Sequence, residues 1–306
     1  MLIRIFGTAI TCILVISIAT FLATKPVMAD EVEDVLRASQ NYEEKKRLEM
    51  LLPLAEAGDS KAQYLVGFQF LRGQGVDADI EKAVHWISES ANQNYATAQY
   101  HLGAMHMHGE GVPKDSNKMI ELWQKAAANG NAWAQAELGT VYAKGDLVEQ
   151  NYEKAVALWE LAVKQHHTVA EYQLGVVLRD GMGVERNPKR AINLFETSAE
   201  YLPIAAFNVA MMIYHGNGVK KDLELSYAWL KYAATTTAFA KSQNFPQGSH
   251  YGAPQAEAHI TELSKMIGDE GVSLGDRLFE KCVSVRYRNC LAICSPEQSQ
   301  NCVSVD

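Results

Sequence analysis

Residues 98–112 read AQYHLGAMHMHGEGV, and this pattern recurs along the chain at a spacing of 36 residues. Four copies share an alanine, a glycine five residues later, a second glycine after six more, a valine, and an acid or amide. The sets are Ala62, Ala98, Ala134 and Ala170; Gly67, Gly103, Gly139 and Gly175; Gly73, Gly109, Gly145 and Gly181; Val76, Val112, Val148 and Val184; and Asp79, Asp115, Asn151 and Asn187. Such a period predicts a stack of helical repeats.

A fifth copy and a repeated large side chain complete the pattern. The fifth copy lacks one residue and consists of Ala205, Ala210, Gly216, Gly218, Val219 and Asp222. An aromatic residue follows in each of the first four copies, with a shift of one residue after the first: Trp86, Trp123, Trp159 and Phe195. We therefore expect about five repeats.

Each repeat is expected to contain two helices. Gly109 ends the first helix, because glycine adopts the left-handed conformation without steric cost. Asp115 is a good N-cap for the second helix, on which Trp123 lies on the face toward the first. Gly103 costs about 1 kcal/mol inside a helix relative to alanine, which suggests that two helices cross closely there. The sequence thus predicts an all-α solenoid.

These residues resemble the Sel-1-like repeat, a relative of the tetratricopeptide repeat. The similarity lies in Ala98–Val112, Asp115 and the alanine run after Trp123, and it covers about residues 42–233. The usual Lys-Ala pair departs to Lys118-Met119 in the second copy. The resemblance implies a right-handed α-solenoid that serves as an adaptor for other proteins.

The ends of the chain are expected to differ from the repeats. Residues 1–29 have a short basic start, an apolar stretch and a small-residue exit, which predicts a secretory signal cleaved after Ala29; an uncleaved membrane anchor is the alternative. Residues 30–54 are expected to form an N-terminal helical cap and residues 234–306 a C-terminal one. The five repeats between them are placed at 55–90, 91–126, 127–162, 163–198 and 199–233. An exported chain would lie in the periplasm or be secreted.

Four cysteines cluster near the C-terminus, at Cys282, Cys290, Cys294 and Cys302. An even number in an exported chain favours two disulfides over a zinc site, and the sequence alone allows three pairings. Similarity to cysteine-rich bacterial members of the family implies the pairs Cys282–Cys290 and Cys294–Cys302.

Charge and motifs argue against several functions. The formal net charge of −8 disfavours nucleic-acid binding. No serine has a lysine three residues on, and no metalloprotease or phosphate-loop motif occurs. His101 and His108 share one side of a helix but lack obvious partners for a metal site. We expect no cofactor, no metal and no catalysis; the alternative is an envelope enzyme acting on β-lactams or peptidoglycan, as proposed for the cysteine-rich relatives.

What remains is a surface for a protein or peptide. The resemblance to the tetratricopeptide repeat implies a binding stripe on the concave face, one, four and five residues past the helix-interior glycine. It contains Phe68, Arg72, Met107, His108, Thr140, Lys144, Val176, Arg179, Met211 and Tyr214. Apolar side chains beside cations suit an acidic or C-terminal peptide; alternatively, half of these residues merely pack between repeats.

Overall fold

The computed structural model describes the backbone of residues 29–242 and 255–284, which form helices and turns with no strand among them. The predicted signal sequence before Ala29 and the cysteines after residue 284 lie outside these residues, and the side chain of Cys282 is not described. The helices are α1 Ala29–Glu56, α2 Ser60–Arg72, α3 Ile80–Asn92, α4 Ala96–His108, α5 Ser116–Ala128, α6 Ala132–Lys144, α7 Tyr152–Val163, α8 Thr168–Asp180, α9 Pro188–Ser198, α10 Pro203–His215, α11 Leu223–Ser242 and α12 Ala256–Ser284.

Contacts divide the chain into two units, one up to Ala98 with Glu110–Pro113 and the other Gln99–Gly109 with Lys114 onward. In each unit consecutive helices pack against each other in pairs, which confirms the predicted all-α solenoid class. The first helices of the repeats are α2, α4, α6, α8 and α10, and the second helices follow each of them.

The first unit consists of α1, α2, α3 and the short segments around them. Leu48 and Ala55 of α1 pack with Val66 and Phe70 of α2 in one apolar cluster. Helix α1 begins at Ala29 and runs on through Pro53, whereas the sequence predicts a helix only from about Tyr42.

In the second unit two apolar clusters run along the repeats. One surrounds Trp123, and the other extends from Trp159 through Phe195 to Trp229 of α11. Helix α12 packs on α11, where Lys231 forms an ion pair with Asp276 at 2.8 Å. This last helix therefore covers the open side of the fifth repeat, as a terminal cap must.

The predicted caps begin all five second helices. In each, a side-chain oxygen accepts from the backbone N–H three residues later, at 2.8–3.0 Å. The five residues are Asp79, Asp115, Asn151, Asn187 and Asp222. One carboxylate or amide per repeat thus satisfies an amide that the helix leaves unpaired.

The helix-interior glycines lie where the two helices of a repeat cross. A Cβ on Gly139 would come within 2.6 Å of the Trp159 Nε1, and one on Gly103 within 2.5 Å of the Trp123 ring. Each indole N–H donates to a first-helix carbonyl, from Trp123 to Tyr100 and from Trp159 to Ala136, both at 3.1 Å. The predicted close crossing is therefore present, and the glycine makes room for the indole.

The first repeat uses a different residue for this contact. Ile87, and not Trp86, lies against Gly67, and a Cβ on that glycine would come within 2.7 Å of the isoleucine side chain. Ile87 is in the 36-residue register of Trp123, so no shift exists between the first and second repeats. The predicted shift is wrong because it presumes an aromatic residue in every repeat, while the site requires only a large buried side chain.

The loop glycines make a second kind of close approach. The second glycine of each Gly-x-Gly-Val loop packs on the helix that precedes its repeat, as Gly75 does on α1, Gly183 on Tyr152 of α7 and Gly218 on Pro188 of α9. In the third repeat Leu147 replaces this glycine and is 46% exposed, while Gly145 keeps the left-handed conformation with φ 72°. That turn is therefore shaped differently, as its sequence suggests.

Helix α11 is longer than predicted. Residues 234–255 are expected to form a loop because they begin with three threonines, yet the helix continues to Ser242. The hydroxyls of Thr235, Thr236 and Thr237 each donate to the carbonyl four residues earlier, at 2.7–2.8 Å. These bonds and the burial of Thr237 offset the weak helix propensity of threonine.

After residue 254, α12 agrees with the expected pair of helices. The pair is predicted at about Ala256–Met266 and Leu274–Val283, and the helical segment is interrupted at Gly268, where φ is 66° and ψ −178°. None of the helices that the structure describes is both long and apolar enough to cross a bilayer.

Candidate functional site

The first helices of the second unit expose one continuous stripe of side chains. The stripe is defined by four positions relative to the interior small residue of a first helix: six and two residues before it, and one and five residues after it. These positions share one helix face because each is three or four residues from the next. All are half-buried or exposed except Asn208, which is 9% exposed. We call them the accessible stripe: His101, Ala104, His108, Trp133, Glu137, Thr140, Lys144, Val169, Gln173, Val176, Asp180, Ile204, Asn208, Met211 and His215.

Of the ten predicted binding residues, two belong to the first unit and eight to the second. The eight lie either on the accessible stripe or at its edge. Phe68 and Arg72 belong to the first unit, where the guanidinium lies 5.4 Å from the centre of the phenyl ring. Five others are on the accessible stripe: His108, Thr140, Lys144, Val176 and Met211. The remaining three, Met107, Arg179 and Tyr214, lie four residues past the small residue, at the edge of the stripe.

The three edge residues make contacts within the unit. Met107 and Tyr214 pack on the apolar clusters. Arg179 donates to both carboxylate oxygens of Asp180 at 2.7 Å and to Asn208 Oδ1 on the next first helix. Because Asp180 neutralises this arginine, its charge is not free for an acidic ligand.

The stripe also contains residues that the sequence did not single out. Trp133 is 56% exposed, and Glu137 lies one helical turn after it. Burial raises the pKa of Glu137, and the charge of Lys144 opposes this shift. The signal that could have found both residues is the helical spacing of Thr140, since positions three and seven residues earlier lie on the same face.

A row of buried glutamines holds neighbouring helices together. Gln135 donates to the Ala127 carbonyl at 3.1 Å and accepts from Gln165 Nε2 at 3.0 Å, and Gln63 makes the matching bonds in the first unit. In the fourth repeat the equivalent residue is Glu171, whose pKa is raised by burial. These buried side chains join each first helix to the second helices beside it and are not available to a ligand.

His167 is a buried neutral imidazole next to the stripe. Its Nδ1 accepts from the Ala170 N–H at 3.3 Å and so caps α8, which leaves the proton on Nε2. Nε2 has no hydrogen-bond partner among the described atoms, and the ring meets Trp133 edge to face with 4.5 Å between centroids. Burial lowers the pKa of His167 because a charged ring would lose its solvation, and a hydrogen bond with its own backbone opposes this shift only in part.

The stability of the protein should therefore fall in mild acid through His167. A histidine whose folded pKa is depressed contributes its full stability above the unfolded pKa of about 6.5 and loses it as the pH falls through the folded value. Between pH 7.5 and 5 the free energy of unfolding, plotted against pH, should have a smaller slope in His167→Asn than in the wild type. The difference in slope is at most about 1.4 kcal/mol per pH unit. Asparagine keeps the cap, since Asn131 caps α6 at the equivalent position. Urea denaturation at several pH values measures the slope.

The exposed neighbour His166 supplies the control for this measurement. His166 has φ 58°, a conformation that asparagine adopts at Asn94 with φ 64°, so His166→Asn should fold and serves as the reference for a histidine-to-asparagine change outside the buried site. An equal slope in the wild type and in His167→Asn would contradict a buried neutral imidazole.

Comparison with known proteins agrees with these helix pairs. A family model described as the Sel1 repeat matches residues 60–95, 96–131, 134–167, 168–200 and 203–235. Each frame covers one helix pair, except that the third begins two residues inside α6 and the fifth ends inside α11. The frames predicted from the sequence start several residues earlier. Comparison with curated proteins gives no match.

Solved structures similar to the chain include the following two. One is a protective antigen present in uropathogenic Escherichia coli strains displaying an SLR fold, with 25% identity, a TM-score of 0.59 and coverage of 83% of this chain. This chain spans only 56% of that antigen. The other is a Sel1 repeat protein from Oxalobacter formigenes, with 24% identity, a TM-score of 0.57, and coverage of 76% of this chain and 100% of that one.

The repeats matched by the family model make up more than half of the chain. The protein therefore belongs to the Sel1 repeat family, whose members are generally scaffolds for interactions between proteins.

Proposed function

We propose that the protein is an exported scaffold that binds a peptide segment of another protein along the accessible stripe of its second unit. The observation that supports this most is that the equivalent positions of four successive first helices, α4, α6, α8 and α10, are all half-buried or exposed except Asn208. Helices packed in this way are about 8–10 Å apart, so an extended peptide of about ten residues would span the four.

The chemistry of the stripe suits a peptide better than a small molecule. Along each helix of the stripe, apolar residues such as Val169 and Trp133 are followed one turn later by polar residues such as Gln173 and Glu137. An extended chain offers both backbone hydrogen-bonding groups and side chains at regular intervals to such a surface. Trp133 is the strongest candidate for an anchor, because exposed aromatic residues dominate the energetics of many interfaces.

Export to the cell envelope is proposed from the first 29 residues and the cysteine pattern. The signal-like layout and the cluster of four cysteines both favour an oxidising compartment. The intact mass of the protein recovered from the host envelope tests this, since cleavage after Ala29 and the loss of four thiol hydrogens are both expected.

Site-specific photo-crosslinking tests the binding surface. A benzoylphenylalanine introduced at Thr140 or Val176 should crosslink to a partner, because both side chains lie on the accessible stripe. The same group at Glu153 of α7 or Lys189 of α9 is the control, since both residues are exposed on second helices. We expect one partner to be captured from both stripe positions at least about tenfold more than from either control position.

A partner captured equally from Lys189 would contradict the use of the stripe. If the partner is captured from the stripe positions, an unlabelled peptide with the sequence of its crosslinked segment should reduce the yield of the crosslink. This competition excludes capture by chance proximity.

A further inference from the structure

Glu137 is a half-buried carboxylate with no cation within ion-pair distance among the described residues, although the charge of Lys144 acts on it from further along the helix. It forms no hydrogen bond or ion pair with any described residue. Lys144 is seven residues further along the same helix, a rise of about 10 Å. A carboxylate removed from water without a partner is costly, so its surroundings favour a cation or a donor supplied from outside.

Two aromatic side chains adjoin this carboxylate. Trp133 is one turn before it on α6 and is 56% exposed. Tyr100 comes from α4 and is close enough that the charge of Glu137, after burial, raises the pKa of the phenol. The Trp123 ring stacks on Tyr100 with 6.0 Å between centroids and fixes its position.

A comparison within the molecule shows what is missing. Asn208 stands in the fifth repeat where Glu137 stands in the third, two residues before the interior small residue. Asn208 receives a hydrogen bond from the Arg179 guanidinium of the preceding first helix. The residue equivalent to Arg179 in front of Glu137 is Met107, which carries no donor. The repeat that holds the carboxylate therefore lacks the cation that its counterpart has.

We propose that Glu137, Trp133 and Tyr100 receive an arginine or lysine side chain of the bound peptide. The carboxylate accepts a charge-assisted hydrogen bond from that side chain, and the two rings contact its charged end through their faces. The inference rests on the proposed function, since it names a residue of the peptide bound on the accessible stripe. It differs from the expectation of an acidic or C-terminal peptide, one of whose cations, Arg179, is already paired with Asp180.

Selection from a library identifies the preference of this surface directly. The probe is a random 12-residue peptide library displayed on phage and selected on the purified protein. The enriched peptide is then synthesised with a fluorescein label, together with a version in which citrulline, an uncharged isostere, replaces the arginine. Fluorescence polarisation compares both peptides on the wild type, on Glu137→Gln, and on Glu153→Gln as a matched control on an exposed carboxylate.

We expect the selected peptides to share one basic residue at a fixed position. For the wild type, the citrulline peptide should bind at least about tenfold more weakly than the arginine peptide. The Glu137→Gln variant should bind the arginine peptide more weakly by the same factor. It should also bind the arginine and citrulline peptides with equal affinity. Glu153→Gln should behave as the wild type. Circular dichroism of each variant confirms that it is folded.

The variant Val176→Ser/Met211→Ser separates this inference from the proposed function. It removes apolar contact area from the stripe without changing its charge. If peptides lose affinity for this variant but are indifferent to citrulline and to Glu137→Gln, the basic-residue site is wrong and peptide binding stands. If the wild type retains no peptide from the library, the peptide-binding function itself is overturned.

Discussion

Replacing Gly183 with alanine is expected to lower the free energy of unfolding by about 3 kcal/mol or more. Gly183 has φ 66°, and a Cβ there would lie 2.1 Å from the Tyr152 Cβ and 2.9 Å from the Tyr152 carbonyl carbon. The left-handed conformation alone costs a residue with a Cβ about 1–2 kcal/mol. The overlap adds to this, because Tyr152 is the first residue of α7 and its backbone cannot move without displacing the helix.

Gly130→Ala is the matched control for this prediction. Gly130 has φ 86°, but a Cβ there would meet nothing within 4 Å. We therefore expect a loss of only about 1 kcal/mol, and the difference between the two variants measures the contact between repeats. Urea denaturation followed by circular dichroism at 222 nm gives both values. Equal losses would mean that Gly183 and Tyr152 are not in tight contact in solution.

Gly139→Ala is expected to cost about 2–3 kcal/mol at the crossing of α6 and α7. The new methyl group would overlap the buried Trp159 ring and displace its N–H from the Ala136 carbonyl. Alanine gains about 1 kcal/mol of helix propensity, which offsets only part of the loss. A substitution that improves the helix in isolation thus destabilises the protein.

The fifth repeat suggests how this loss can be compensated. There Ala210 replaces the glycine, and Leu230 occupies the position of Trp159 in the register. In a double-mutant cycle, Gly139→Ala and Trp159→Leu should together cost less than the sum of the single changes, by about 1 kcal/mol or more. Additive losses in thermal and urea unfolding would show that the methyl group and the indole do not compete for the same space.

The sequence predicted those parts of the fold that depend on contacts within one repeat. Asp115 and its equivalents were identified as caps because capping requires only a side chain and the amides that follow it. Gly103 was identified as a crossing point because an otherwise unfavourable residue recurred in register. Both features follow from local geometry that a repeat period makes visible.

Parts of the fold that depend on neighbouring elements were harder to predict. The threonines at 235–237 lie inside α11, where each hydroxyl is satisfied by the preceding turn and Thr237 is buried, and neither circumstance is encoded in helix propensity. The glutamine row was overlooked because the role of Gln135 becomes apparent only once Ala127 and Gln165 lie beside it.

The sequence predicts which helices carry the candidate site better than it predicts which residues form the site. A stripe on the first helices follows from the resemblance, and five of its predicted residues lie on the accessible stripe. The position four residues past the glycine turns toward the next helix instead, where Arg179 meets Asn208. Which edge of a helix a neighbour covers depends on how the repeats are rotated against each other, and the period of the sequence does not specify that rotation.

The turn after α6 offers a place at which the chain can be lengthened. Leu147 stands where the other loops have a glycine packed on the preceding repeat, and it is exposed. Asp146 and Leu147 are both exposed, so an inserted segment there can extend into solvent, and doubling the length of a loop costs only about 0.6 kcal/mol in closure entropy. An epitope tag or a small folded domain can therefore be accommodated between Asp146 and Leu147 without separating the repeats on either side.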